Sequence, residues 1–250
     1  MKTYYLTDAG KVRNHNEDSV TIVKNNNNEY LMVVADGMGG HRAGEIASSI
    51  AVDHLSKNFI ELDTVGEKSN AVNWIRKHVD IINDEIIKYS NKNSGKKGMG
   101  STLVLALLTR EYVLFGNLGD SSGYVTKDNK LHKVTKDHTL VNLLVTTGEL
   151  SQEEAKEHPQ KNILMRALGA NAPAEIDIFD VDTDIQSIML CSDGVTSMLN
   201  SEQLEFVLTQ ENLSVEQKVQ RLIKKCNNRG GTDNISIAYL EKESGELDDS

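Results

Sequence analysis

The stretch from Leu31 to Glu45, LMVVADGMGGHRAGE, limits most strongly what this chain can fold into. Its first residues are apolar and β-branched, the composition of a strand buried on both faces. The run stops at Asp36, then Gly37, Gly39, Gly40 and Gly44 follow, and Glu45 opens a helical pattern. A carboxylate beside bare backbone oxygens suits hard cations such as Mg²⁺, Mn²⁺ and Ca²⁺. The same glycines also fit a plain strand-to-helix turn in which they only supply positive φ. Both readings stay open on this stretch alone.

Composition narrows the field. The 250 residues suffice for one large domain with a substantial core or for two small ones. A formal charge of −10 argues against a general nucleic-acid binder and against docking on anionic membrane. The N-terminus, MKTYYLTDAG, has no apolar signal core, and no run is long enough for membrane insertion. Cys191 and Cys226 lack metal-type spacing and sit among apolar neighbours, as reduced core thiols do. The expected location is the cytoplasm.

Ahead of the central stretch, Arg13-Asn14-His15-Asn16-Glu17-Asp18 leads into a short strand pattern, Ser19 to Val23. Arg13 is a planar cationic fork suited to phosphate. Asn25 to Asn28 read as a hairpin tip. Behind the central stretch, Ala43 to Phe59 reads as a helix with Ile46, Ile50 and Leu55 roughly on one side. A second helix follows, with Val72, Ile75, Val79, Ile82 and Ile86 as its stripe and His78 beside it in a surface or packing role. Strand patterns cover Ser101 to Leu108, Tyr112 to Asn117, Tyr124 to Thr126, Lys130 to Val134, Ile176 to Val181, Ser187 to Cys191 and Ile235 to Leu240. Between them Ser151 and Glu154 have the spacing of a capping box, within a polar excursion. Ser201 to Thr209 and Val215 to Asn227 read as helices.

Asp36, Asp120 and Asp193 stand beside glycine and Asp233 two residues after Gly231, all at the ends of apolar strands. Four carboxylates drawn to one end of a sheet repel unless cations lie between them. Two divalent ions sharing a carboxylate would relieve that repulsion and orient a water for in-line attack on a phosphoester, with Arg13 holding phosphate oxygens. This chemistry fits a metal-dependent phosphatase or nuclease, and the negative charge favours the phosphatase.

The motifs occur in a characteristic order: Arg13 to Asp18, Asp36-Gly37-Met38-Gly39-Gly40-His41 with Gly44-Glu45, Met99-Gly100-Ser101-Thr102, Gly119-Asp120-Ser121 and Asp137-His138. His158-Pro159 with Asn162, Arg166-Ala167-Leu168-Gly169, Ser192-Asp193-Gly194 and Gly231-Thr232-Asp233-Asn234 complete it. From Asp8 to Tyr239 the chain thus resembles the metal-dependent protein Ser/Thr phosphatases of type 2C, in their compact bacterial form. The resemblance implies an α+β fold, a four-layer α-β-β-α sandwich of two packed antiparallel sheets flanked by helix pairs. It implies two to three Mn²⁺ or Mg²⁺ ions, with Asp36 bridging two, the Gly37 carbonyl on the first, and Asp193 and Asp233 on the second. Asp120 with Asp193 would bind a third, weaker ion. Glu17 and Asp18 would act through water, with Asn234 supporting the site, and Arg13 would clamp the phosphate. Gly148 to Asn162 would form the flap that sets substrate choice, in a subdomain of about residues 142–170. Residues 1–241 would be a single phosphatase domain, and 242–250 an acidic, disordered tail.

Three departures from the family pattern carry expectations. Met38 stands where animal members place a histidine proposed as general acid, and His41 is nearby. Ser122 replaces the usual arginine after Gly-Asp-Ser, which would loosen the strand near Asp120. The flap carries Glu149, Glu153, Glu154 and Glu157, which favours substrates with basic residues near the phosphosite. The expected partners are phosphorylated Ser/Thr proteins, including a cognate Ser/Thr protein kinase, and the expected state is a monomer. The competing readings are a catalytically dead phosphoprotein-binding module and a phosphatase dedicated to one regulatory protein.

Overall fold

The computed structural model of the chain describes residues 1–40, 42–170 and 172–243. In the strand β3 (Tyr30–Met38), successive side chains point to opposite faces. Leu31, Val33 and Ala35 pack with the helices α1 (Ala43–Ile60) and α2 (Lys68–Lys92), while Met32 and Val34 enter a second core. That second core lies between two sheets. One holds β2 (Asp18–Lys24), β3, β5 (Leu103–Leu108), β6 (Val113–Leu118) and β9 (Asp177–Val181) in that order, with β4 (Gly100–Ser101) beside β3. The other runs β1 (Lys2–Asp8), β11 (Ile235–Glu241), β10 (Ser187–Cys191), β7 (Ser122–Lys127) and β8 (Lys130–Lys133). All pairings are antiparallel.

Val104, Ala106 and Phe115 of the first sheet meet Val125, Ile188, Leu190, Ala238 and Leu240 of the second. Beyond the second sheet, Met189, Cys191, Ile237 and Tyr239 pack under α6 (Ser201–Leu208) and α7 (Val215–Asn228). The layers are therefore helix, sheet, sheet, helix, the expected sandwich. Cys191 and Cys226 are free, buried thiols in the α6/α7 layer.

Two local readings change. Helix α1 seats Ala43, Ala47, Ala51, Val52, Leu55 and Phe59 in the core, while Ile46 and Ile50 are only partly buried along its flank. The small alanines let α1 approach β3 closely, which a face led by isoleucine would prevent. Strand β3 also continues past Asp36 to Met38, because β4 supplies a partner: Gly37 pairs with Ser101 and Met38 with Gly100. His78 is buried, its Nδ1 2.8 Å from His54 Nε2 on the neighbouring helix and its ring 4.4 Å from that of Trp74.

The topology gathers the motifs at one end. Strand β3 leaves its sheet where β2 and β5 enter and β6 ends. In the other sheet β1 and β10 finish there, and β11 and β7 begin. The connections 9–17 and 119–121 cross between the sheets at this end.

Candidate metal centre

Asp36 and Asp18 are directly opposite each other across β3 and β2. Like charges at such a pairing repel. Asp193, the first residue of the short helix α5 (Asp193–Thr196), and Asp233, just before β11, come from the second sheet at the same end. Asp120 lies in the crossover between β6 and β7. Burial, followed by the charges of Asp18, Asp193, Asp120 and Asp233, pushes the Asp36 carboxyl well above the ordinary range. Burial, with Asp193 and Asp233 nearby, lifts Asp18 to about 7. Asp120 also rises to about 7, through burial, Asp193 and Asp137. Asp193 is raised by burial and by Asp233. Glu17 rises through burial, and Arg13 opposes that shift. The predicted carboxylates are thus one interacting cluster.

Close backbone approach makes this possible. A Cβ on Gly37 would lie 2.2 Å from the Gly44 carbonyl oxygen and 2.5 Å from that of Glu17. A Cβ on Gly194 would lie 2.0 Å from the Asn234 carbonyl oxygen. Only glycine lets β3 meet α1, and α5 meet the Asp233 turn, this closely.

Hydrogen bonds then fix the ligand-bearing segments. The Asp36 N–H donates to Thr102 Oγ1 at 3.0 Å, and the Asp36 carbonyl accepts from Thr102 N at 2.8 Å and Ser101 Oγ at 3.0 Å. Thr102 Oγ1 is 2.7 Å from Ser121 Oγ, beside Asp120. The Gly119 N–H donates to His138 Nδ1 at 3.2 Å, and His138 N–H returns a bond to the Gly119 carbonyl at 2.8 Å. Ser122 is buried and in register with Cys191, and its Oγ has no hydrogen-bond partner. Asn234 Oδ1 accepts the Glu17 N–H at 2.8 Å, while its Nδ2 donates to the carbonyls of Ala9 at 3.0 Å and His15 at 2.9 Å. Asn234 thereby pins the Arg13 loop to the Asp233 turn.

Arg13 Nη2 is 2.8 Å from Asp233 Oδ2 on a side chain 54% exposed. A guanidinium has five N–H donors, so this contact leaves others for an incoming anion. The cluster has a donor set suited to hard divalent cations: several carboxylates in partial burial, and one buried oxygen, Asp18 Oδ1, without a hydrogen-bond partner. Among the described residues no three His, Cys, Asp or Glu side chains converge as a ready-made cage. Each ion would then complete its shell with carbonyl and water oxygens, as Mg²⁺ commonly does.

The remaining predicted residues divide. The flap, Gly148 to Asn162, runs from α3 (Leu140–Thr146) through α4 (Gln152–Glu157), capped as expected by Ser151 and Glu154. It returns beside the centre, because Leu168 bridges to Ser101. Three flap glutamates are engaged locally: Glu149 with Thr147, Glu153 with Lys156, and Glu154 in the cap. His41 and residues 244–250 lie outside the described residues. Sequence alone gives the hydroxyls of Ser48, Thr102, Ser121 and Ser192 no role; the one signal for the last three is a place in or beside the acidic motifs.

The sequence profile described as Protein phosphatase 2C matches residues 10–235. The serine/threonine phosphatase stp of Listeria monocytogenes is 39% identical over 244 residues, covering 97% of this chain and 96% of that protein. Protein phosphatase PhpP of Streptococcus pneumoniae is 34% identical over 243 residues, covering 96% and 97%. Among solved structures, the serine/threonine phosphatase Stp1 from Staphylococcus aureus superposes with a TM-score of 0.91 at 34% identity, over 97% of this chain and 95% of that one. The S. agalactiae serine/threonine phosphatase gives 0.91 at 36% identity, over 97% and 99%. Clustered carboxylates, an anion-facing arginine and these matches along nearly the whole length lead to one conclusion: the chain belongs to the protein phosphatase 2C family.

Proposed function

We propose that this chain removes phosphate from phosphoserine and phosphothreonine in proteins, using two to three Mn²⁺ or Mg²⁺ ions at the carboxylate end of the sandwich. It is a serine/threonine phosphatase of the protein phosphatase 2C type, a metal-dependent class of enzyme. The observation that supports the placement of its chemistry is the gathering of Asp18, Asp36, Asp120, Asp193 and Asp233 at one end of the sandwich, with Arg13 paired to Asp233.

In this reading Asp36 and the Gly37 carbonyl would hold the first ion, Asp36, Asp193 and Asp233 would hold the second, and Asp120 with Asp193 would hold a third. When bound, the ions supply positive charge for the phosphoryl oxygens and lower the pKa of a water poised for in-line attack. Arg13 orients the phosphate through the N–H groups that Asp233 does not use, and its exposure lets a protein-borne phosphate reach it. Glu17 and Asp18 accept hydrogen bonds from ordered water, and Asn234 holds their loop. Met38 has no proton to give, so the side chain after Gly37 plays no part in leaving-group protonation.

Residues 1–241 act as a single phosphatase domain with the flap at about residues 142–170. The enzyme works as a cytoplasmic monomer against a cognate Ser/Thr protein kinase. No helix among the described residues is long and apolar enough to cross a membrane. Its flap favours substrates with Lys or Arg near the phosphosite.

The test is hydrolysis of a phosphothreonine peptide with Mn²⁺, with Mg²⁺ and with chelator, for the wild type and Asp193→Ala. Metal-dependent turnover that collapses in the variant supports the assignment. A folded wild type that binds the peptide but turns over with neither metal would identify a phosphoprotein-binding module instead.

A further inference from the structure

Ser192 connects β10 to Asp193, yet its side chain engages the opposite sheet. The residue is fully buried. Its Oγ is 3.0 Å from the Ser236 backbone nitrogen, 2.8 Å from Asp18 Oδ2 and 3.5 Å from the Asn234 carbonyl oxygen. The Ser236 N–H can only donate, so the hydroxyl accepts there. Its single proton goes to the nearer acceptor, the Asp18 carboxylate. The backbone fixes the hydroxyl further, since Ser192 N–H donates to the Ser236 carbonyl at 3.1 Å.

Asp18 starts β2 in the first sheet, opposite Asp36, whereas Ser192 and Ser236 belong to the second. The bond therefore crosses the sandwich at the metal centre, where ligands from both sheets must keep a set spacing. It also treats the two Asp18 oxygens differently. Oδ2 is tied to Ser192, while Oδ1 is buried with no hydrogen-bond partner. We propose that Ser192 is a positioning residue for the metal centre, its hydroxyl locking the Asp18 carboxylate so that only Oδ1 serves the water shell of a bound ion. This rests on the metal reading given above. Without the lock, Asp18 rotates about χ2 and presents either oxygen, in competition with the Asp36 ligand across the ladder. Partners that orient the groups around an ion commonly govern 10–100-fold in affinity.

The experiment is a double-mutant cycle read by Mn²⁺ binding in electron paramagnetic resonance, on wild type, Ser192→Ala, Asp18→Asn and the double variant, each checked for folding by circular dichroism. Ser192→Cys, which keeps the volume but weakens the donor, stands in if the alanine variant fails to fold. The expected result is Mn²⁺ affinity about tenfold weaker on loss of the hydroxyl in the Asp18 background, and no further loss in the Asp18→Asn background. A purely structural serine would lower the melting temperature and leave Mn²⁺ affinity within twofold of wild type, which overturns the proposal. Equal losses in both backgrounds overturn it as well. A wild type that binds no Mn²⁺ would overturn the metal reading itself.

Discussion

Removing one charge from the centre should stabilise the metal-free protein, with a pH dependence set by Asp120. Burial and the neighbouring carboxylates lift that group from 3.8 to about 7 in the folded chain. Between these values the folded state keeps a proton that the unfolded state has released. Stability is therefore fully present below about pH 4 and is lost as pH rises through about 7. A gap of about three pK units at 1.36 kcal/mol each gives a ceiling of about 4 kcal/mol, lowered by the carboxylate's partial contact with solvent. This is a large share of the roughly 5–15 kcal/mol that holds a domain together. Asp120→Asn keeps the shape and removes the charge. In chelator at pH 8 its melting temperature should exceed that of wild type by several degrees, up to about 10 °C, at roughly 2–4 °C per kcal/mol for a chain this long. At pH 4 the two proteins should melt together, and saturating Mn²⁺ should narrow or reverse the gap at pH 8. An Asp120→Asn protein no more stable than wild type at pH 8 in chelator, or equally advantaged at pH 4, would refute the idea that repulsion strains this end of the sandwich.

Other perturbations follow from the contacts. Gly194→Ala places a Cβ 2.0 Å from the Asn234 carbonyl oxygen, so a loss of about 3 kcal/mol or more is expected in denaturant melts, together with loss of turnover. Asn234→Ala removes one acceptor and two donor contacts that hold the Arg13 loop; it should cost about 1–3 kcal/mol and raise the KM for a phosphopeptide more than it lowers kcat. On the flap, with Glu149, Glu153 and Glu154 engaged locally, Lys or Arg beside the phosphosite should raise kcat/KM no more than about fivefold, the reach of exposed ion pairs. Paired peptides measured in low and high salt check this, and equal rates would remove the flap from substrate choice.

The sandwich was legible because its central strands are long apolar runs and α2 has an unbroken stripe at helical spacing. Helix α1 was harder: a stripe search favours Ile46 and Ile50, but the contact with β3 is made by Ala47 and Ala51, whose small side chains leave a faint periodic signal. His78, beside the α2 stripe, fills the packing role open to it, but its partner His54 is on another helix and 24 positions away, which no local pattern names. At the centre, Asp36, Asp120, Asp193 and Asp233 could be collected from the sequence because three stand beside glycine and Asp233 stands two residues after Gly231. What stayed hidden was relational: Asp18 facing Asp36 across a ladder, and Ser192 reaching Asp18 from the other sheet. Such pairings depend on register and on sheet-to-sheet packing, which no window along the chain contains.

This division has a physical origin. Sheets are specified by many weak, redundant contacts, so losing a few readable positions leaves the architecture inferable. A metal centre is specified by a few groups held against their own preferences. Here carboxylates that repel are brought together by backbone crossings at Gly37, Gly44 and Gly194 that no side chain would allow. The cost falls on the core behind them, where Met32, Val34, Phe115, Ile188, Leu190 and Leu240 are essentially excluded from solvent. That packing keeps the two sheets from parting where their charges would drive them apart. The hydroxyl bridges of Ser192 and Thr102 act at the same end, too few to hold the sheets alone but well placed to set the angle at which each carboxylate enters the centre. The core thus supplies rigidity and the buried serines and threonines supply aim, so substitutions in the two sets should separate: the first lowering stability, the second altering metal affinity in a protein that still folds.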